Sequence, residues 1–429
     1  MRFDQALRAL ESRQPELMPG PSLDRIREIV NYLDHPELTY PTIHVTGTNG
    51  KTTAARTTAA VACGHGLTSG LFTSPHLRSI TERFSVCDVD MTEAEFADAW
   101  AYLSPYLDLV DGLGHGPVTY FEAVTALAYV WFADRPVGLG VFEVGMGGSW
   151  DATNLIASDV AVLCPIGMDH VAELGPTLAD ITGEKAGIIK PGKVAIVREQ
   201  EPAVEQQLLA RAAEVGAIAH REVVDWEVDG RGVAVGGQAF SLRGLHATYE
   251  DLFVPMFGAF AVHNAAAGVV AVEALTGAAL DEDTLRASLA EVRSPGRMEV
   301  LSRSPLVIVD GAHNPAGAEA LTEAMPEFFT WDRLHLVVAV SANKDVPAMV
   351  AALAPLADVV HVTRNDSVRS ADAIEVAEAF TSLGAAVHVE TSVAAALEAA
   401  RASAAREDAI LVTGSLFTVA DARRALGIG

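Results

Sequence analysis

The chain has 429 residues, half of them apolar and 20% charged, enough at about 150 residues per domain for two to three domains with a sizeable core. That balance excludes disorder and collagen-like repeats. Thirty basic residues against 56 acidic ones leave a net charge of −26. Such a surface repels phosphate backbones and anionic lipid, so neither nucleic acid nor membrane is an expected partner.

Met1-Arg-Phe-Asp-Gln5 lacks a cationic start followed by an apolar stretch, so no secretory signal is read there. No apolar run approaches the roughly 18 residues that span a bilayer; Val124 to Ala133 is among the longest. Short β-branched runs then alternate with helical patterns. Ile43 to Thr46, Val137 to Val144, Val160 to Cys164 and Lys193 to Val197 are expected strands of one parallel α/β sheet. Asp225 to Arg243 is Gly-rich with short alternating strands, a small antiparallel excursion. Ser294 to Glu299 is turn-forming and precedes a fresh series of strands: Leu306–Asp310, Leu334–Val340, Val359–Thr363, Ala386–Glu390 and Ile410–Thr413. The expected division is therefore residues 1–295 and 296–429, a P-loop-type parallel-sheet domain followed by a smaller Rossmann-like α/β domain. Cys63, Cys87 and Cys164 are scattered without disulfide or metal spacing, and the expected compartment is the cytoplasm.

Thr46-Gly-Thr-Asn-Gly-Lys-Thr-Thr53 follows a strand and opens a helix. A turn of that kind aims backbone N–H groups, and the positive end of the helix, at a phosphate. Lys51 would reach the outer phosphates and Thr52 would set its hydroxyl on Mg²⁺. Val45 stands where the full P-loop spacing wants a glycine, so this is a shortened variant. The chain has only five lysines, Lys51, Lys185, Lys190, Lys193 and Lys344, and uses arginine elsewhere, which makes each lysine a candidate for chemistry.

Gly-Thr-Asn-Gly-Lys resembles the nucleotide loop of the Mur ligase superfamily, and its surroundings resemble the folylpolyglutamate synthase/dihydrofolate synthase family. Thr73-Ser-Pro-His-Leu77 with Glu82-Arg83, Thr119-Tyr-Phe-Glu122, Glu143 to Gly148 with Asp151-Ala-Thr-Asn154, and Gly167-Met-Asp-His170 follow in that family's order. Glu184 to Lys190, His263-Asn264, Pro295-Gly-Arg297, Asp310 to Pro315 and Gly414-Ser-Leu-Phe417 complete the series, from about residue 40 to 425. The resemblance implies an ATP-dependent ligase that adds L-glutamate to dihydropteroate and to reduced folates through an acyl phosphate. The alternatives are a monofunctional folylpolyglutamate synthase or a Mur-type ligase acting on another acid. By the same resemblance Gly47, Thr48, Asn49, Gly50, Lys51, Thr52, Thr53, Asn264, Arg297 and Asp310 hold ATP. Ser74, Glu143 and His170, with Thr52, hold Mg²⁺, two ions being expected. Thr119, Tyr120, Phe121, Ala152 and Ser415 are implied at the acid substrate, and His313 at the acyl phosphate or incoming glutamate. Lys185 is expected to carry CO₂ as a carbamate that helps hold the second ion, and the assembly is expected to be a monomer.

Taken singly, several of these positions have blander readings. Ser74 reads equally as a helix cap, His170 as a satisfied loop histidine, Glu184-Lys185 as a solvated helical pair, and Asp310-Gly-Ala-His-Asn-Pro315 as a turn. Two places depart from the family pattern on the pterin side: Ser149-Trp150 before Asp151, and Pro21-Ser22 before Leu23.

Overall fold

The strand β1 (Thr42–Thr46) is buried along its whole length, as a parallel strand covered on both faces must be. It lies inside an eight-stranded sheet in the order β4-β3-β2-β5-β1-β6-β7-β8. The other members are β2 (Ser69–Phe72), β3 (Phe84–Val86), β4 (Val89–Asp90), β5 (Leu139–Glu143), β6 (Val160–Leu163), β7 (Val194–Val197) and β8 (Ile218–Arg221). Six strands are parallel, and the β3–β4 hairpin closes one edge antiparallel. The computed structural model describes residues 1–14, 22–135 and 137–428, so Pro21 of the N-terminal departure lies outside the described residues.

Alternation along β5 distributes the two cores. Leu139 and Val141 face the layer built on the helices Lys51–Gly64 and Ala259–Thr276; Phe142 faces the aromatic layer of the helices Glu93–Asp111 and Tyr120–Asp134. The Gly-rich excursion is an antiparallel three-stranded sheet of β9 (Glu227–Ala234), β10 (Gly237–Arg243) and β11 (Thr248–Val254), longer than the sequence pattern suggested. The second large sheet has the order β12-β13-β17-β14-β15-β16. It is made of β12 (Glu299–Arg303), β13 (Leu306–Val309), β14 (Leu334–Val338), β15 (Val359–Val362), β16 (Ala386–Val389) and β17 (Ala409–Thr413), with only the β12–β13 pair antiparallel.

Two sequence expectations are corrected. Cys63 and Cys87 form a disulfide with Cα atoms 5.6 Å apart. The chain returns from the last turn of the Lys51–Gly64 helix through β2 to the β3–β4 turn beside it, a proximity that 24 residues of separation conceal. The Ala259–Thr276 helix is also long and apolar enough, by length and composition, to cross a membrane. Two-thirds of it is buried against the Lys51–Gly64 helix and the strands of both N-terminal sheets, so it is a core helix here.

His335, His361 and His388 stack across β14, β15 and β16 with ring centroids 5.7 and 5.5 Å apart. Burial, then the neighbouring His335 and His388, lower His361 to about 4. A histidine unfolded titrates near 6.5, so from pH 6.5 toward 4 the unfolded chain binds a proton that the native state refuses. Stability is therefore lost as pH falls through that window, by up to about 3 kcal/mol from this residue. His361→Phe keeps a stacked ring without the titration and should flatten the fall in unfolding midpoint between pH 7 and 4.5; an unchanged slope assigns the acid sensitivity elsewhere.

Candidate active site

β1 ends at the point where strand order reverses, with β5 on one side and β6 on the other, which is where open α/β sheets leave a crevice. The turn Gly47–Gly50 crosses it. Thr48 and Asn49 donate their N–H groups to the Pro165 carbonyl, and the Thr48 hydroxyl donates to Gly167 O (2.9 Å) while accepting Gly167 N–H. Gly50 has φ +89°, and a Cβ there would run into the Asn264 side chain, so the glycine is required twice over. Asn264 is buried against the loop and accepts from Arg198, whose Nε also meets Glu222 at 2.6 Å. His263 closes this network on the other Glu222 oxygen at 2.6 Å. Burial would raise Glu222, but the His263 hydrogen bond and Arg198 bring it down to about 2. The Thr53 hydroxyl pairs with that of Ser294, in the turn before β12, at 3.1 Å.

Lys51 Nζ donates to Gly47 O (3.0 Å) and Thr48 O (3.2 Å), folding back over the loop. Lys185 Nζ donates to the same Gly47 carbonyl at 2.9 Å. Lys185 is 4% exposed, so the solvated-pair reading of Glu184-Lys185 is overturned: the helix Leu178–Ala186 turns this residue inward. Burial, with the Lys51 charge adding to it, lowers Lys185 to about 7, which makes it an amine near neutral pH.

Glu143, at the end of β5, is 1% exposed. One of its oxygens accepts the Thr52 hydroxyl (2.8 Å) and the other the Ser74 N–H (3.3 Å), bringing three of the expected metal-binding positions together. Burial raises the Glu143 carboxyl, opposed chiefly by Lys51. His170 begins the helix Val171–Leu174 with φ +52° and leaves a buried Nδ1 without a hydrogen bond. Among the described residues no three His, Cys, Asp or Glu side chains gather around one point. Hard oxygens on Thr52, Ser74 and Glu143 nevertheless fit Mg²⁺, while the His170 ring lies between Glu173 (3.8 Å from Nδ1) and Lys344 (3.3 Å from Nε2).

The second domain presents its loops to the same crevice. Asp310 follows β13 and is buried; its two oxygens accept the N–H groups of Met298 (2.9 Å) and Ala312 (2.8 Å), and burial raises its carboxyl against the pull of Arg297. His313 Nδ1 lies 2.8 Å from Gly311 O and its Nε2 3.5 Å from Asp169. Asp169, next to His170, also receives Lys344 and the Asn314 amide (3.2 Å). Burial would raise Asp169, yet the hydrogen bond from His313 and the charges of His170 and Lys344 hold it far below the usual carboxylate range. Sequence reasoning had not assigned a role to Asp169; its motif Gly-Met-Asp-His was the available signal.

Between the domains lies a cleft of about 290 Å³, floored by Phe121, Trp150 and Ala152 and faced by Ser415, Arg369 and Phe417. Thr119 caps the helix Tyr120–Asp134 and lines the cleft, and the Tyr120 ring lies under the cleft-lining Arg83, whose guanidinium carbon is 5.5 Å from its centre. Glu122 takes Arg25 through both oxygens (3.0 and 2.9 Å) while receiving Thr119 N–H, so an N-terminal helix is anchored to the cleft wall. Behind Ala152, a buried chain runs from His44 to the Thr153 hydroxyl (2.8 Å) and on to Asp151, which accepts Met146 N–H. Arg25 and the His44 chain join positions far apart in sequence and carry no local motif.

Residues 45–272 match the Mur ligase middle domain and residues 296–416 the Mur ligase glutamate ligase domain. The chain is 40% identical to the dihydrofolate synthase/folylpolyglutamate synthase of Mycobacterium tuberculosis, over 97% of this chain and 92% of that one. It belongs to the dihydrofolate synthase/folylpolyglutamate synthase family. Mycobacterium tuberculosis folylpolyglutamate synthase complexed with ADP superposes with a TM-score of 0.95 at 38% identity, covering 99% of this chain and 98% of that one. FolC of Escherichia coli in complex with DHPP and ADP superposes at 0.87 with 32% identity, covering 100% and 98%.

For a synthase of this family, the approach of Gly148 to Lys185 makes a test. A Cβ on Gly148 would stand 2.5 Å from Glu184 O and 3.0 Å from Lys185 Cα, both backbone atoms with no room to yield. Gly148→Ala should cost about 1–3 kcal/mol of stability by overpacking and lower turnover at least about tenfold by displacing Lys185. Urea unfolding beside steady-state kinetics measures both; wild-type turnover would show that the Lys185 position is not critical.

Proposed function

We propose that the chain is an ADP-forming ligase that joins L-glutamate to dihydropteroate and to the γ-carboxyl of reduced folates. The observation that carries the reading is the convergence, at the end of β1, of the lysine-bearing phosphate loop, the Thr52–Glu143–Ser74 oxygen cluster and the His313–Asp169–Lys344 group from across the cleft. The named activities of its relatives support both reactions. Residues 1–295 would carry nucleotide and the acid substrate, and residues 296–429 the face on which glutamate arrives. The working form would be a cytoplasmic monomer.

A carboxylate oxygen is a poor leaving group, so the acid is first phosphorylated. Its oxygen bonds to the γ-phosphorus, the bond to the β-phosphate oxygen breaks, and ADP leaves. The glutamate nitrogen then attacks the acyl carbon, loses a proton and expels phosphate. Lys51 draws charge from the transferring phosphoryl group. Gly47 to Gly50 and the start of the Lys51–Gly64 helix orient the phosphates. Thr52, Ser74, Glu143, His170 and a carbamate on Lys185 would hold Mg²⁺, which when bound neutralises phosphate charge. Asn264, Arg297 and Asp310 would complete the nucleotide site. Phe121, Ala152, Thr119 and Ser415 would shape the acid pocket, with Tyr120 contributing through Arg83. His313 would assist at the acyl phosphate or the amine.

Purified protein with MgATP and glutamate, given dihydropteroate or tetrahydrofolate separately, tests the reading by phosphate release and product mass. Turnover of tetrahydrofolate alone would make it a monofunctional folylpolyglutamate synthase, and turnover of neither would leave a Mur-type ligase for another acid. Lys51→Ala should lower turnover at least about 100-fold, the scale of losing one preorganised charge-stabilising donor. Near-normal turnover in a folded Lys51→Ala protein would remove the ATP-ligase reading.

CO₂ adds only to a neutral amine, so with Lys185 lowered to about 7 the adduct should form above about pH 7 and be lost as pH falls below it. ¹³C-labelled bicarbonate should give one carbamate carbonyl resonance in the wild type and none in Lys185→Ala. That variant should be inactive and partly rescued by acetate or formate. A wild-type spectrum without the resonance at pH 8 would exclude the modification.

A further inference from the structure

We propose that Asn314 is a positioning residue that couples the phosphate loop to His313 through a reciprocal amide pair with Asn49. Asn314 is 2% exposed and opens the helix Pro315–Phe328. A cap needs only that its side-chain oxygen accept one N–H, which Gly317 supplies at 2.9 Å. The amide nitrogen of Asn314 donates to Asn49 Oδ1 (3.0 Å) and to Asp169 Oδ2 (3.2 Å), and its oxygen accepts from Asn49 Nδ2 (3.1 Å). Both hydrogens and both lone pairs are thus used, and the three bonds beyond the cap all cross to residues before 295.

The consequence is mechanical. Asn49 lies between Thr48 and Gly50 in the phosphate loop, and its side chain is spent on Asn314, 265 residues away in sequence. His313 precedes Asn314, so a shift of the loop on filling with phosphate is transmitted to the histidine on the opposite wall. Asp169 receives Asn314, His313 and Lys344 together and sets the distance between the two walls. Nucleotide occupancy and the placement of His313 are thereby one event.

The inference rests on the ligase reading for its kinetic arm only. Asn314→Ser keeps a good helix cap while removing the crossing amide. Asn314→Ser and Asn49→Ala should each lower kcat about tenfold or more, with ADP affinity of Asn314→Ser by calorimetry changed less than about threefold. The double variant should be no slower than the slower single variant, because both remove one shared interaction. In hydrogen exchange, ADP should slow amides of residues 315–328 in the wild type and fail to do so in Asn314→Ser. If wild-type protein lacks ligase turnover but shows this protection, the proposed function fails and the coupling stands. Multiplicative kinetic losses, wild-type kcat in Asn314→Ser, or equal protection in both proteins would overturn the coupling.

Discussion

Two lysine amines share one backbone carbonyl. Lys51 and Lys185 both donate to Gly47 O, at 3.0 and 2.9 Å, and among the described residues neither has a carboxylate within ion-pair distance. Burial, with the Lys51 charge adding to it, makes Lys185 an amine near neutral pH, and burial lowers Lys51 against the pull of Glu143 and Asp169. Much of the surrounding structure holds that arrangement in place. Gly148 admits the Lys185 backbone, Gly50 admits Asn264, and Thr48 ties the loop to Gly167.

The same logic resolves an apparent conflict of charge. A chain of net charge −26 is read as handling nucleotide, folate and glutamate, all anions. Cations are gathered where long-range repulsion matters least, within low-dielectric walls: Lys51 on one side, Arg297 and Lys344 on the other. Asp169 and Glu143 are the counter-charges, and neither lies on the open surface. The acidic exterior therefore speaks against nucleic acid without opposing small anionic substrates.

The division of labour between domains follows from the sheets. Each sheet ends its parallel strands at the crevice, so the loops after β1, β5 and β6 meet those after β13, β14 and β17. Chemistry that needs groups from both sides becomes conditional on how the walls are set. The amide pair between Asn49 and Asn314, and the three partners of Asp169, are among the direct polar links that set them.

Legibility in the sequence followed the range of the interaction. The strands from β1 to β17 that carry β-branched runs, the phosphate loop and the Gly-rich excursion were readable because period and turn chemistry are local. β2, with Ser69 and Gly70, and the short hairpin β3–β4 were not, since pairing to β5 and not composition makes them strands. Motif order placed Lys185 at the site, while the bare residue pair Glu184-Lys185 looked like solvated surface; only packing against Gly47 and Gly148 decided its burial and its charge. Composition and motif order by themselves determined an α/β ligase with a shortened phosphate loop. The tertiary structure alone decided the Cys63–Cys87 bridge, the inward turn of the apolar helix Ala259–Thr276, the stacking of Arg83 on Tyr120 and the Asn49–Asn314 contact. Each of these depends on which distant backbones the sheets bring within a few ångströms, and no local pattern of residues encodes that distance.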